Sequence, residues 1–244
     1  MPFPTTPHVS PVTPHGQISG RFFIIASMAN PQELGDVLAY LPCSRVMEYE
    51  KRQVIYEPTN PSTGLHVIIG GKVLVQRTTA DGTKLMVNIY QTDDLFGEIV
   101  FIGLTESPEI ATALEPTRVM TWTGDEIERY ILERPRLALA LLQMLTKRCM
   151  EYTQRIESCA AERIEQRLAR MLLYLSERLG QMSEDGKLKM LPLTHELLAQ
   201  YVGTSREIVT SNMVQFRRRG YLRYSRQEIV LDPDAMRKFL KPSD

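Results

Sequence analysis

Along the chain, the apolar positions change period near the middle. Between residues 45 and 122 they fall in short β-branched runs: Val54-Ile55-Tyr56, Leu65-His66-Val67-Ile68-Ile69, Lys72-Val73-Leu74-Val75 and Leu85-Met86-Val87-Asn88-Ile89. Turn-forming residues separate these runs, which predicts strands of one antiparallel unit, a sandwich, barrel or roll rather than an α/β sheet. Gly70-Gly71 and Asp81-Gly82 supply the positive-φ positions that tight hairpins demand.

Between residues 125 and 159 the period becomes helical. Ala138, Leu142, Leu145, Cys149, Tyr152, Ile156 and Cys159 recur at alternating steps of four and three, a seven-residue repeat. A helix beside a compact domain cannot bury such a stripe alone. Pairing with a second copy across a two-fold axis is the simplest remedy, and packing on the strands is the alternative. Arg148 and Arg155 flank the stripe, as expected beside a helical seam. A further helix over residues 163–179 carries Ile164, Leu168, Met171, Leu172 and Leu175 on one face and stops before Gly180; a turn at 183–187 and a short strand at 188–193 follow.

Thr194 then stands where a helix N-cap belongs, ahead of Glu196 and an apolar face of Leu197, Leu198, Tyr201 and Val202. Gly203 permits a left-handed turn, Ser205 caps the next helix, and Ile208, Val209, Met213 and Phe216 give that helix an apolar face. Two short helices about a glycine turn form a helix-turn-helix. The opposite face of the second helix presents Arg206, Glu207, Thr210 and Ser211 as candidates for reading base edges: arginine for guanine O6 and N7, glutamate for cytosine N4. Ser205, Arg217, Arg218 and Arg219 are expected at phosphates. Residues 221–224 and 228–231 predict a hairpin wing whose Arg223 and Arg226 reach the DNA backbone, followed by a small helix over 234–240.

Composition refines this division. The 244 residues, 43% hydrophobic, suffice for two domains. The formal net charge is zero, yet 14 Lys/Arg stand against 18 Asp/Glu up to Ala160 and 15 against 11 after it, so the basic part coincides with the helix-turn-helix. Pro2, Pro4, Pro7, Pro11 and Pro14 with few large apolar groups predict a flexible tail over residues 1–30. A β-roll sensor domain over 31–128, a dimerisation helix over 129–160 and a DNA-binding domain over 161–244 complete the expected organisation. No apolar run approaches the roughly 18 residues needed to span a bilayer and the start does not resemble a signal peptide, so a cytoplasmic protein without membrane contact is expected.

Cys43, Cys149 and Cys159 are too few and too scattered for a disulfide framework or an iron–sulfur site. The two on the stripe would face their symmetry mates in a dimer, either as small hydrophobes or as an oxidisable pair. His8 and His15 have no partner spacing and His66 stands alone in a strand, so neither metal nor cofactor is expected. His195 and Glu196 are sequence neighbours pointing to different faces with no nucleophile beside them, so no catalytic constellation competes with DNA binding.

The order of β-roll, long helix and helix-turn-helix, with Val202-Gly203-Thr204-Ser205-Arg206-Glu207 and Leu95-Phe96-Gly97-Glu98, resembles the Crp/Fnr family of bacterial transcription regulators from about Leu34 onward. The resemblance implies an α+β fold: an N-terminal antiparallel β-roll like a cyclic-nucleotide-binding domain, a long dimerisation helix and a C-terminal winged helix-turn-helix. It also implies a homodimer on a palindromic operator in double-stranded DNA, with RNA polymerase as partner if the protein activates transcription. Arg206 and Glu207 match positions that read a half-site, whereas Ser211 stands where arginine is usual in the cyclic-AMP branch. An effector pocket is implied around Gly97, Glu98, Pro108 and Glu109, with Tyr152 and Thr153 on the long helix. Pro108 and Glu109 occupy the region where cyclic-nucleotide binders place a phosphate-holding arginine and serine, so weak or no cyclic-AMP binding is expected, with Glu98 either free to accept a ribose hydroxyl or capping a local turn. The effector is unknown. An effector-independent regulator is a second reading, and a redox or small-molecule receptor acting mainly through protein partners is a third. The strand-turn glycines usual in the family are replaced around Thr59 and Asp93.

Overall fold

A computed structural model describes residues 36–102 and 107–241. The proline-rich tail expected over residues 1–30, with His8 and His15, lies outside the described residues.

Eight strands form two antiparallel four-stranded sheets: β1 (Val46–Tyr49), β2 (Val54–Tyr56), β3 (Gly64–Gly70), β4 (Lys72–Thr78), β5 (Lys84–Gln91), β6 (Leu95–Phe96), β7 (Glu109–Ala113) and β8 (Thr117–Thr123). One sheet runs β1-β8-β3-β6 and the other β2-β7-β4-β5. Asp81-Gly82 closes the expected hairpin between β4 and β5, with Gly82 at φ 83°. Gly70-Gly71 behaves differently from the sequence expectation. It joins β3 to β4, which belong to different sheets, so it turns the chain across the roll instead of closing a hairpin. Gly71 has φ 101°, and a Cβ there would stand 2.5 Å from the Thr117 hydroxyl oxygen and 2.7 Å from the Pro116 carbonyl.

β3 is buried on both faces, which is why its sequence reads as a continuous apolar run. Ile68 joins Tyr56, Val73, Val75, Tyr90 and Phe96 inside the roll, while Leu65 and Val67 point outward beneath helices. Those helices are α1 (Gly124–Glu133) and α2 (Arg136–Ala161). The helical stretch over 125–159 is therefore two helices, and the long one begins at Arg136. Thr123 and Glu126 cap α1 reciprocally. Pro135 separates the helices, since proline lacks an N–H and restricts the residue before it. Leu137, Ala140 and Leu141 pack the first turns of α2 on the roll with Ile127, Leu65 and Trp122.

The C-terminal half comprises α3 (Ile164–Leu179), β9 (Gln181–Met182), β10 (Leu188–Met190), α4 (His195–Val202), α5 (Arg206–Arg218), β11 (Leu222–Tyr224), β12 (Ile229–Leu231) and α6 (Pro233–Leu240), with sheet order β11-β12-β10-β9. Its core centres on Leu168, Leu172 and Leu175 of α3, each fully buried and stabilising by roughly 1.5–3 kcal/mol. Leu74 of β4 and Met86 and Ile89 of β5 belong to the same cluster, so the outer face of the second sheet and the C-terminal half share one core. A register shift in β5 makes this possible: Asn88 pairs with Val75 and Met86 with Gln76, leaving Val87 as the extra residue that lets Met86 and Ile89 serve the same cluster.

Candidate functional site

The C-terminal face is built as the sequence anticipates. The Thr194 hydroxyl accepts from Leu197 N–H at 3.2 Å to start α4, Gly203 at φ 74° ends it, and Ser205 accepts from Ile208 N–H at 3.4 Å to start α5. Leu198, Ala199 and Val202 bury against Val209, Met213 and Phe216. Ile208 departs from its expected place: it is 41% exposed, one turn from the buried positions and on the rim of the outer face. That outer face carries Arg206, Glu207 and Ser211 exposed, and Arg217, Arg218 and Arg219 follow at the far end. Thr210 is half-buried, donating its hydroxyl proton to the Arg206 carbonyl at 2.8 Å. Its own backbone N–H, the Ser205 hydroxyl and then Arg206 hold the Glu207 carboxyl below the usual glutamate range, so the exposed side chain stays an ionised hydrogen-bond acceptor. The wing turns at Ser225, whose Oγ accepts from Gln227 and Glu228 N–H, and both Arg223 and Arg226 are exposed. Arg217 lies 5.4 Å from the centre of the Tyr224 ring, tying the end of α5 to the wing.

The stripe on α2 is turned away from the roll except at Tyr152, which also reaches the space beside Tyr90 and Glu98. Ala138, Leu142, Cys149, Tyr152, Ile156 and Cys159 are exposed and Leu145 is half-buried, with Leu142 at 59% and Ile156 at 69%. Packing on the strands, the alternative expected from sequence, is overturned, because Leu137, Ala140 and Leu141 occupy that face of the helix. Arg148 and Arg155 are also turned inward rather than lying beside an exposed seam. Arg155 donates to the carbonyls of Met86 at 3.0 Å, Val87 at 3.2 Å and Tyr201 at 2.7 Å and stacks 3.8 Å from the Tyr201 ring centre.

Arg148 reaches the roll interior, where it donates to the Leu95 carbonyl, pairs with Glu98 and lies 5.0 Å from the Tyr90 ring centre. Burial opposes its charge, but Tyr90 and Glu98 outweigh burial and raise its pKa. Among the described residues Glu98 is thus the ion-pair partner of Arg148, a role the sequence did not suggest. Around this pair, Tyr56, Tyr90, Phe96, Gly97, Glu109 and Tyr152 enclose a residual space of only about 10 Å³, against the roughly 300 Å³ of a small ligand pocket. Gly97 cannot be replaced there: at φ 83°, its Cβ would stand 2.6 Å from the His66 ring. Burial first and Glu98 second push the Glu109 carboxyl up, and burial followed by Glu109 raises Tyr56. Pro108 and Thr153 do not line this space; the Pro108 carbonyl accepts from Thr78 N–H, and the exposed Thr153 donates to Cys149 O. His66 is buried inside the roll between Ser62 and Thr121 hydroxyls, each at 2.8 Å, and burial lowers its pKa to about 4.

Sequence reading did not anticipate Arg148, Tyr56 or Tyr90 around Gly97 and Glu98, nor Arg178, which pairs with Asp94 at 2.6 Å and donates to the Tyr174 hydroxyl at 2.8 Å beside an open cleft of about 870 Å³. Asp93, where a family glycine is absent, adopts the left-handed conformation itself at φ 70°, which aspartate tolerates better than most residues. Among the described residues, no group of three His, Cys, Asp or Glu could hold a metal ion, and no helix is long and apolar enough to cross a membrane.

Comparison with known proteins matches residues 46–134 to the cyclic nucleotide-binding domain and residues 166–239 to the Crp-like helix-turn-helix domain. The chain is 27% identical over 186 residues to a CRP-like cAMP-activated global transcriptional regulator of Mycobacterium tuberculosis, covering 76% of this chain and 83% of that protein. It is 30% identical over 171 residues to transcriptional regulator SdrP of Thermus thermophilus, covering 70% and 80%. Among solved structures, a CRP/FNR-family transcriptional regulator from Thermus thermophilus superposes with a TM-score of 0.67 at 28% identity, over 80% of this chain and 98% of that one.

Proposed function

Because this chain belongs to the Crp/Fnr family and is a helix-turn-helix DNA-binding transcription regulator, we propose that it works as a homodimer on a palindromic operator, with its two α5 helices in successive major grooves. The exposed seven-residue stripe of α2 carries this reading. A second α2 laid against it buries Leu142, Cys149, Tyr152 and Ile156 and sets two reading faces at the half-site spacing of about 34–36 Å. Arg206 and Glu207 read bases, with Thr210 and Ser211 on the same face, while Ser205, Arg217, Arg218, Arg219, Arg223 and Arg226 hold phosphates. Ser211 offers a single hydroxyl where the cyclic-AMP branch usually has arginine, so the preferred half-site differs at that base. If the protein activates transcription, RNA polymerase is its partner, and the site of action is the cytoplasm.

The mycobacterial relative is a cAMP-activated regulator. In this chain the Arg148–Glu98 pair and the ring of Tyr56, Tyr90 and Tyr152 fill the corresponding space, so control by cyclic AMP in the usual way is not part of the proposal. Selection of bound duplexes from a random pool at stated salt, with sedimentation of the protein alone and on the selected duplex, tests the reading. An inverted repeat bound by two chains supports it; a protein that sediments as a monomer and enriches no sequence overturns it. Titration calorimetry with cyclic AMP is expected to give little or no heat.

A further inference from the structure

We propose that His195 is a proton-gated DNA contact: on binding duplex DNA its ring takes up a proton, and Nε2–H donates to a backbone phosphate oxygen. The inference rests on the reading of α5 and the wing as the DNA face. His195 is the first residue of α4 and is held against two other elements, with Nδ1 2.8 Å from Thr210 Oγ1 of α5 and the ring edge-on to Tyr224 of β11 at 5.5 Å. The Thr210 hydroxyl has one proton and gives it to the Arg206 carbonyl at 2.8 Å. Thr210 can therefore only accept from His195, which puts the imidazole proton on Nδ1 and leaves the Nε2 lone pair as the second valence of the neutral ring.

A lone pair repels a phosphate oxygen, whereas a protonated Nε2 donates to it with charge assistance. The surroundings suit an anion. From α5, Arg206 stands within electrostatic range; from β11, Tyr224 carries Arg217 near its ring; on α4 itself Glu196 accepts from Gln200 at 3.4 Å. Burial and then Arg206 hold the free ring below the ordinary histidine value, so it is neutral at physiological pH. An arriving phosphate offsets Arg206 and favours the charged ring. Each chain on DNA thus binds one more proton than a free chain in the interval between the two pKa values, and affinity rises as pH falls through that interval. Above it the contact is not made, and below it the ring is already charged before binding.

Fluorescence anisotropy from pH 5.5 to 8, on a selected duplex of about 30 base pairs and on a scrambled one, tests the proposal. Wild type is expected to tighten about three- to tenfold on both duplexes as pH falls from 7.5 to 6. Its salt exponent should grow by about 1.8, roughly 0.9 for each of the dimer's two His195–phosphate contacts. His195→Gln keeps a donor for Thr210 and should be flat in both measurements. His195→Arg carries a permanent charge and should bind tightly at every pH. A His195→Gln protein that keeps the wild-type pH slope and salt exponent overturns the proposal, and so does a His195→Arg protein whose pH slope matches wild type. If wild type binds no duplex at any pH, the DNA-facing reading fails instead.

Discussion

Two titratable residues of the roll, buried His66 and half-buried Glu109, push stability in opposite directions with pH. His66 keeps both nitrogens hydrogen-bonded and is 7% exposed, so its protonation is disfavoured in the fold down to about pH 4. The unfolded chain, with an ordinary value near 6.5, binds more protons between those limits. The stabilisation is fully present above pH 6.5 and is lost as pH falls toward 4, by about 3 kcal/mol. Urea melts at pH 7 and 4.5 should register that loss in wild type, and a His66→Gln variant should lack it. Glu109 has the contrary sign. Its folded-state pKa is raised by burial and then by Glu98, so its ionised form weakens the fold, and protonation relieves that strain as pH falls toward the ordinary glutamate value. Glu109→Gln is expected to melt higher than wild type at pH 7, with the difference closing near pH 4.5.

On the DNA face, Arg206 and Arg218 are both exposed yet differ in position, one at the start of α5 and the other at its end. Arg206→Ala should cost about 1–3 kcal/mol on the selected duplex and little on a scrambled one, whereas Arg218→Ala should weaken both alike. Equal losses on both duplexes for Arg206→Ala would remove it from the base-reading set.

At the scale of elements, α2 divides its faces among three tasks. Leu137, Ala140 and Leu141 anchor its start on the roll, Arg148 and Arg155 grip backbone carbonyls further along, and the seven-residue stripe is left open. A glutamate at Leu142 or Ile156 would place a charge on that open stripe without touching the core. Either variant should keep the wild-type helix content by circular dichroism, sediment as a monomer and bind the selected duplex at least tenfold more weakly. The stripe, the caps and the glycine turn were legible from sequence because each is local: a repeat of seven, Thr194 and Ser205 before apolar runs, and Gly203 between helices. The inward turn of Arg148 and Arg155 was not legible. Their spacing of seven is that of the stripe itself, and their partners, Leu95 and Glu98 for one and Met86 and Val87 for the other, lie 50 or more residues away in the chain. Gly70-Gly71 was misread for a related reason, since a glycine pair signals a reversal but not whether the next strand joins the same sheet. Ile208 has the periodicity of a core residue and the exposure of a rim residue, because a helix of 13 residues buries less than half its circumference.

At the scale of the whole molecule, the roll and the DNA-reading half are bolted together. Arg155 of α2 holds β5 through Met86 and Val87 and α4 through Tyr201, while Arg178 of α3 holds Asp94 beside β6. Arg155→Met keeps much of the side chain's apolar length but loses all three carbonyl contacts. Hydrogen exchange of the α4 and β5 amides should then quicken together, while exchange in β8 stays unchanged. Faster exchange confined to α2 would mean that the two halves are not coupled through this residue.

Leu74, Met86 and Ile89 share their hydrophobic cluster with Leu168, Leu198 and Phe216. A chimaera that grafts a relative's reader onto this roll, cut at the α2–α3 junction, would meet three side chains shaped for a different surface. Transplants should therefore succeed only when the outward residues of β4 and β5 travel with the helices they support, so the modular boundary for protein engineering runs through the roll and not through the linker.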